Sequence, residues 1–125
     1  MQRDPGQPLG HKRVLVVEDE FLLGLSLLED LAEAGADVVG PVSTLDEALE
    51  VVMSDAFDLA LLDINIRGEM SFPIADALLA RNVPLIFLTG YDADVIPERL
   101  RRWPRIGKPY DPRELASTLA VVSRA

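Results

Sequence analysis

The chain has 125 residues, enough for one domain that buries roughly two-thirds of its unfolded surface. Hydrophobic residues make up 49% and charged residues 26%, an ordinary globular balance, and the absence of cysteine excludes disulfides and thiolate metal sites. Lys and Arg total 12 against 21 Asp and Glu, and the resulting net charge of −9 disfavours binding to a nucleic-acid backbone. His11 is the single histidine, so a zinc site would rest almost wholly on carboxylates. Apolar runs last only a few residues before a charge, too short for a transmembrane helix, and no signal peptide opens the chain. The expectation is an acidic, soluble, cytoplasmic domain with neither nucleic acid nor membrane as partner.

Residues 1–12 carry Pro, Gly and polar residues without periodicity and predict a flexible tail, leaving one domain over residues 13–125. Val14-Leu15-Val16-Val17 is a continuous apolar run, as a strand covered on both faces requires. Leu22, Leu25, Leu28, Leu31 and Ala32 recur at helical spacing within a helix predicted over Phe21 to Ala34, and Gly35 sits where a C-cap belongs. A shorter strand follows over Asp37 to Pro41. Thr44-Leu45-Asp46-Glu47 has the form of a capping box and opens a helix to about Ser54. Leu59-Ala60-Leu61-Leu62 is a third strand, ending at Asp63. A Gly-containing loop leads to a helix near Pro73 to Arg81. The fourth strand is Leu85-Ile86-Phe87-Leu88, ending at Thr89-Gly90, and a Pro-interrupted helix is predicted over Asp94 to Arg102. Arg105-Ile106-Gly107 makes a fifth strand, and Asp111-Pro112-Arg113-Glu114 starts a last helix to about Ser123.

Five alternations of buried strand and helix predict an α/β fold, a doubly wound parallel sheet with helices on both faces. Ligands of such sheets bind at the carboxyl ends of the strands. Those ends carry Glu18-Asp19-Glu20, Asp63, Thr89 and Lys108. Crowded carboxylates repel one another unless a cation neutralises them, and hard oxygen ligands suit Mg²⁺. A hydroxyl and an ammonium beside the metal can grip two oxygens of a phosphoryl group, with Asp63 as nucleophile. Each residue alone has a plainer reading: a solvated loop or helix cap for Glu18 to Glu20, turn chemistry for Asp63 and Thr89-Gly90, a surface lysine for Lys108. Coincidence would have to act at four strand ends at once.

The segments Val17-Glu18-Asp19-Glu20, Leu61-Leu62-Asp63-Ile64-Asn65, Leu88-Thr89-Gly90 and Lys108-Pro109-Tyr110 resemble the response-regulator receiver domain of bacterial two-component signalling, across about residues 13–123. The resemblance implies a flavodoxin-like (βα)5 three-layer sandwich with strand order 2-1-3-4-5. It implies a signalling domain rather than an enzyme, one that promotes its own phosphorylation and dephosphorylation. Asp63 is then the phosphoacceptor for a histidine kinase or phosphotransfer protein. Glu18, Asp19, Asp63 and the backbone carbonyl of Asn65 hold Mg²⁺, or Mn²⁺ in its place. Thr89 is the switch hydroxyl, Lys108 the phosphate-binding ammonium, and the bond before Pro109 is cis.

The pattern departs from the family at Arg105, which occupies the position of a switch aromatic on the fifth strand. Phe87-Leu88-Thr89-Gly90-Tyr91 instead resembles the FAT GUY subgroup of mostly stand-alone receivers, with Leu88 where that motif has Ala. By that resemblance Tyr91 replaces the missing aromatic as a switch residue. With only the tail outside the receiver, a single-domain regulator without a DNA-binding output domain is expected; a phosphate sink in a relay, or a receiver excised from a larger protein, are the alternatives. Its downstream protein partner is expected on the face of the fourth helix, fifth strand and fifth helix. There Arg99, Arg101, Arg102 and Arg105 form either a solvated face or a docking patch for an acidic protein. Two other classes remain as rivals. An aspartyl-phosphate hydrolase resembling the haloacid dehalogenases wants a second Asp where this chain has Asn65. A flavodoxin-like cofactor binder would place phosphate against the acids Glu18 to Glu20.

Overall fold

The apolar runs that end at Val17, Leu62 and Leu88 become central strands because both their faces are covered. The computed structural model describes residues 9–90 and 93–123. In chain order they form β1 (Arg13–Val17), α1 (Phe21–Glu33), β2 (Asp37–Val42), α2 (Leu45–Ser54), β3 (Leu59–Asp63), β4 (Asn65–Ile66), β5 (Glu69–Met70), α3 (Phe72–Ala80), β6 (Leu85–Thr89), β7 (Arg105–Gly107) and α4 (Pro112–Val122). Among the described residues one parallel sheet runs in the order β2-β1-β3-β6-β7, the predicted order 2-1-3-4-5. The fold is the flavodoxin-like three-layer sandwich that the sequence predicts.

Strand alternation divides the core between the two faces. Leu15, Val17, Leu62 and Phe87 pack with Val52 of α2 and with Ile74 and Leu78 of α3. Val14, Val16, Leu61, Ile86 and Leu88 pack on the other side with Leu27 and Leu31 of α1 and Leu115 and Leu119 of α4. The helix ends follow their caps. Thr44 accepts a hydrogen bond from the Glu47 N–H, and Asp111 accepts one from the Arg113 N–H ahead of α4. Gly35, with φ of 93°, turns the chain just past α1.

Four expectations need correction. The stripe predicted for α1 meets the core only in part: its Leu31 is buried, together with Gly24 and Leu27 outside the stripe, whereas Leu22 is more than three-quarters exposed and Leu25 is also exposed. So many apolar residues lie around this helix that its period alone does not choose a face. The segment Asp94 to Arg102 is not an α-helix but two 3-10 turns, Ala93–Val95 and Glu98–Leu100. Pro97 lacks the N–H that a continuous helix needs and is itself extended, with ψ of 147°. Residues 9–12, placed in the tail by composition, belong to the packed body: Leu9 is fully buried in the α1–α4 layer, and its N–H donates to the Ala34 carbonyl. Finally, the loop after β3 holds the small antiparallel hairpin β4–β5.

Candidate functional site

The strand-end candidates Glu18, Asp19, Asp63, Thr89 and Lys108 stand at the carboxyl edge of the sheet, because parallel strands end on the same side. β1 delivers Glu18 and Asp19, β3 delivers Asp63 as its last residue, β6 ends on Thr89, and Lys108 follows β7. Together with Glu20, Leu23, Asn65, Gly90 and Pro109, the residues Asp19, Asp63 and Lys108 line a cleft of about 700 Å³. Glu18, Asp63 and Thr89 are buried, Asp19 and Lys108 half-buried. Tyr91, the proposed replacement for the fifth-strand aromatic, lies outside the described residues.

Lys108 Nζ sits among three carboxylates: Asp63 Oδ2 at 2.7 Å, Glu20 Oε1 at 3.2 Å and Glu18 Oε1 at 3.3 Å. The Lys108 N–H donates to the Thr89 carbonyl, so β6 fixes the backbone that carries this ammonium. The Lys108–Pro109 peptide bond is cis. Two residues on, the Tyr110 hydroxyl donates to the Asp30 carboxylate of α1, and burial together with that partner holds its acidity below that of a free phenol.

Burial and then the charge of Asp63 push the Glu18 carboxyl up to about 8. Burial also raises the Asp63 carboxyl, against the pull of Lys108. For Lys108, burial disfavours the ammonium, but hydrogen bonding and charge from Asp63 and Glu18 outweigh it and raise its value. Three carboxyl groups thus crowd one lysine, and the site resists holding them all ionised.

One oxygen each from Glu18, Asp19 and Asp63 lies within 4.8 Å of the others. Glu18 Oε2 is buried and, among the described residues, has no hydrogen-bond partner. An orphaned carboxylate oxygen beside two further hard oxygen donors fits a small divalent cation such as Mg²⁺, which relieves both the repulsion and the missing bond. Asn65 is half-buried at the edge of this group; its N–H donates to Asp63 Oδ1 at 3.3 Å.

Glu20, which the sequence placed at the first strand end as a site acid or helix cap, stands at the N-cap position of α1 without capping it and turns to Lys108 instead. Other contributors escaped the sequence reading. Ser71 is buried, and its hydroxyl donates to the Asp63 carbonyl at 2.5 Å. Asp19 Oδ2 accepts the Arg67 N–H at 2.8 Å. The Arg67-Gly68 pair, ending in a glycine between two short apolar stretches, was the available signal for the hairpin. The described arginines after α3 are exposed. Arg99 pairs with Asp76, Arg101 bonds the Ile96 carbonyl, Arg102 lies 4.9 Å over the Trp103 ring, and Arg105 is exposed on β7.

The family profile described as "Response regulator receiver domain" matches residues 14–120. The transcriptional regulatory protein PdtaR of Mycobacterium tuberculosis is 30% identical over 91 residues, 72% of this chain and 44% of PdtaR. The sensory transduction protein LytT of Bacillus anthracis is 31% identical over 113 residues, 86% of this chain and 45% of LytT. The chain thus spans less than half the length of these curated relatives. Among solved structures, SdrG from Sphingomonas melonis Fr1 is 38% identical with a TM-score of 0.80, over 90% of this chain and 96% of SdrG. The receiver domain of PhyR from Erythrobacter litoralis is 27% identical with a TM-score of 0.79, over 91% of each chain. No described helix is long and apolar enough to cross a membrane. A profile that covers nearly all of the sheet and helices, on a site built at the expected strand ends, gives one answer: the chain belongs to the response-regulator receiver-domain family.

Proposed function

We propose that this receiver takes a phosphoryl group onto Asp63 from the phosphohistidine of a histidine kinase or phosphotransfer protein. The observation that carries the reading is the 2.7 Å contact between Lys108 Nζ and Asp63 Oδ2 at the edge of the three-carboxylate cluster. An Asp63 carboxylate oxygen attacks phosphorus as the P–N bond of the donor breaks; the bond electrons leave with the imidazole, which takes up a proton. Glu18, Asp19 and Asp63, with the backbone carbonyl of Asn65, would hold Mg²⁺ or Mn²⁺. That ion supplies charge neutralisation for the oxygens of the group in flight. Lys108 exchanges a carboxylate partner for a phosphoryl oxygen, and the Thr89 hydroxyl donates to another.

A protein donor fits the surroundings of the cleft. Phe21 and Leu22 begin α1 right after Glu20 and are 77% and 78% exposed, an apolar surface beside the entrance that a small phosphodonor does not need. On the output side, the added charge at Asp63 draws Thr89 and Lys108 inward. The 3-10 turns, β7 and α4 follow, and a downstream protein reads that face. Phe87 to Tyr91 and Arg105 favour the FAT GUY arrangement, with Tyr91 as the aromatic of the switch. The domain then works through protein contacts in the cytoplasm, as a regulator or as a phosphate sink, and phosphotransfer profiling against the kinases of its source separates the two.

The central test is incubation with acetyl phosphate and Mg²⁺, read by intact mass. Wild type should gain one acid-stable, base-labile phosphoryl group, and Asp63→Ala none. Equal phosphate on both proteins, or none on wild type, overturns the assignment. Turnover of generic phosphate esters would favour the hydrolase reading instead.

A further inference from the structure

Arg67 is an unexpected residue for the place it occupies. It and Gly68 are the two loop residues between Ile66 of β4 and Glu69 of β5, and both have positive φ, 52° and 85°. Such a turn favours Asn, Asp or Gly in its first position and Gly in its second, since a Cβ at positive φ is strained. Gly68 suits the second position, and Asn65 Oδ1 supports it by accepting the Gly68 N–H at 2.8 Å. Arginine contributes nothing that the turn itself needs.

What arginine adds is a tether at each end. Its Nε–H donates to the Ser43 carbonyl at 2.9 Å, fastening the hairpin tip to the loop after β2. Its backbone N–H donates to Asp19 Oδ2 at 2.8 Å. Asp19 is one of the three carboxylates of the cluster, and it lies 48 residues from Arg67 in sequence. One oxygen of Asp19 is thus held from outside, which leaves the other to a cation. Outer partners of this kind set the orientation of a ligating carboxylate. A left-handed non-glycine residue survives where surrounding contacts over-determine it, and here they run from the loop after β2 to the loop after β1.

We propose that Arg67 is a positioning residue: its side chain pins the hairpin to Ser43 so that its amide holds Asp19 in the geometry that binds a divalent cation. The proposal rests on the reading of Glu18, Asp19 and Asp63 as that cation's ligands. It predicts a division between stability and binding. Arg67→Gly removes the tether but suits the backbone better, so the hairpin keeps its turn.

The experiment titrates Mg²⁺ into wild type, Arg67→Gly and Arg67→Lys, following amide shifts by NMR, with thermal midpoints measured in chelator. Arg67→Gly should bind Mg²⁺ about tenfold more weakly, the lower end of what loss of an outer partner costs a metal site. Its midpoint without cation should equal or exceed that of wild type. Arg67→Lys, which can still reach the Ser43 carbonyl, should recover part of the affinity. Equal Mg²⁺ affinity in wild type and Arg67→Gly overturns the proposal and leaves the cation site standing. A loss of affinity matched by a fall in the chelated midpoint also overturns it, since the role is then only structural. Absence of Mg²⁺ binding by wild type defeats the cation site and this proposal together.

Discussion

Lys108 Nζ lies 2.7 Å from Asp63 Oδ2 although 45 residues separate them, and the same ammonium reaches Glu18, 90 residues away. Neither partner is optional in this arrangement. The lysine side chain is 15% exposed, and those of Asp63 and Glu18 are 5% and 0% exposed, so each charge is expensive without the other. Three strand ends, those of β1, β3 and β7, must meet before the contact exists.

Lys108→Met should therefore destabilise the metal-free protein by about 3–5 kcal/mol at about pH 9, where the buried carboxyl groups must either ionise without a counter-ion or take up protons. At about pH 5 the loss should shrink, because the Glu18 carboxyl, pushed up to about 8, is then protonated and no longer needs a counter-ion. Urea denaturation in chelator at the two pH values measures it. A loss that does not change with pH contradicts the assignment of Lys108 as their counter-ion.

Glu18 and Asp63 also predict how wild type itself responds to pH. Both carboxyls are raised by burial, Glu18 from 4.5 to about 8, so between these values the native state binds more protons than the unfolded chain. Stability from this source is complete below about pH 4.5 and is lost as pH rises through about 8. In chelator, wild type should lose stability over that window relative to Glu18→Gln, which cannot titrate. Parallel profiles for the two proteins would refute the prediction, as would a profile that rises only for wild type.

Leu9 tests whether the packed body begins before β1. It is fully buried against α1 and α4, and the Lys12 ammonium holds the Ser123 carbonyl at the end of α4. Leu9→Ala should cost about 2–4 kcal/mol, the range for emptying a buried leucine site. Chemical denaturation decides it, and a change within about 0.5 kcal/mol, as a surface site gives, would place Leu9 outside the core.

Gly24→Ala sets helix propensity against packing. Within a helix, alanine is favoured over glycine by about 0.5–1 kcal/mol. Here a Cβ would stand 2.7 Å from Pro41 Cγ, where α1 crosses β2. Overpacking should win, with a net loss of about 1–2 kcal/mol in thermal or urea unfolding. A stabilised variant would mean that Pro41 yields freely and that the close approach of α1 to β2 does not depend on the missing side chain.

Much of the fold was legible because its signals are local. The runs at Val14, Leu59 and Leu85 are continuous and apolar, Thr44 and Asp111 cap the helices they precede, and Gly35 ends α1. The errors fall where local signals are silent or in conflict. Seven apolar residues crowd the stretch from Phe21 to Leu31, and only contact with β1, β2 and α4 chooses Leu27 and Leu31 for the core. Leu9 follows Pro and Gly in a stretch that composition assigns to a tail, yet a cavity between two helices captures it. Residues 93–102 hold helix-forming side chains, and one proline divides them into two turns.

By itself the sequence determined which strand ends carry Glu18, Asp19, Asp63, Thr89 and Lys108, since that depends on where each apolar run stops. Placing Lys108 among Asp63, Glu18 and Glu20 was left to the tertiary structure, as was setting Arg67 against Asp19 and burying one Glu18 oxygen without a partner. The physical reason is range. Strand and cap preferences act over a few residues, whereas hydrogen bonds and ion pairs hold over a few ångströms between groups that only the packed sheet brings together.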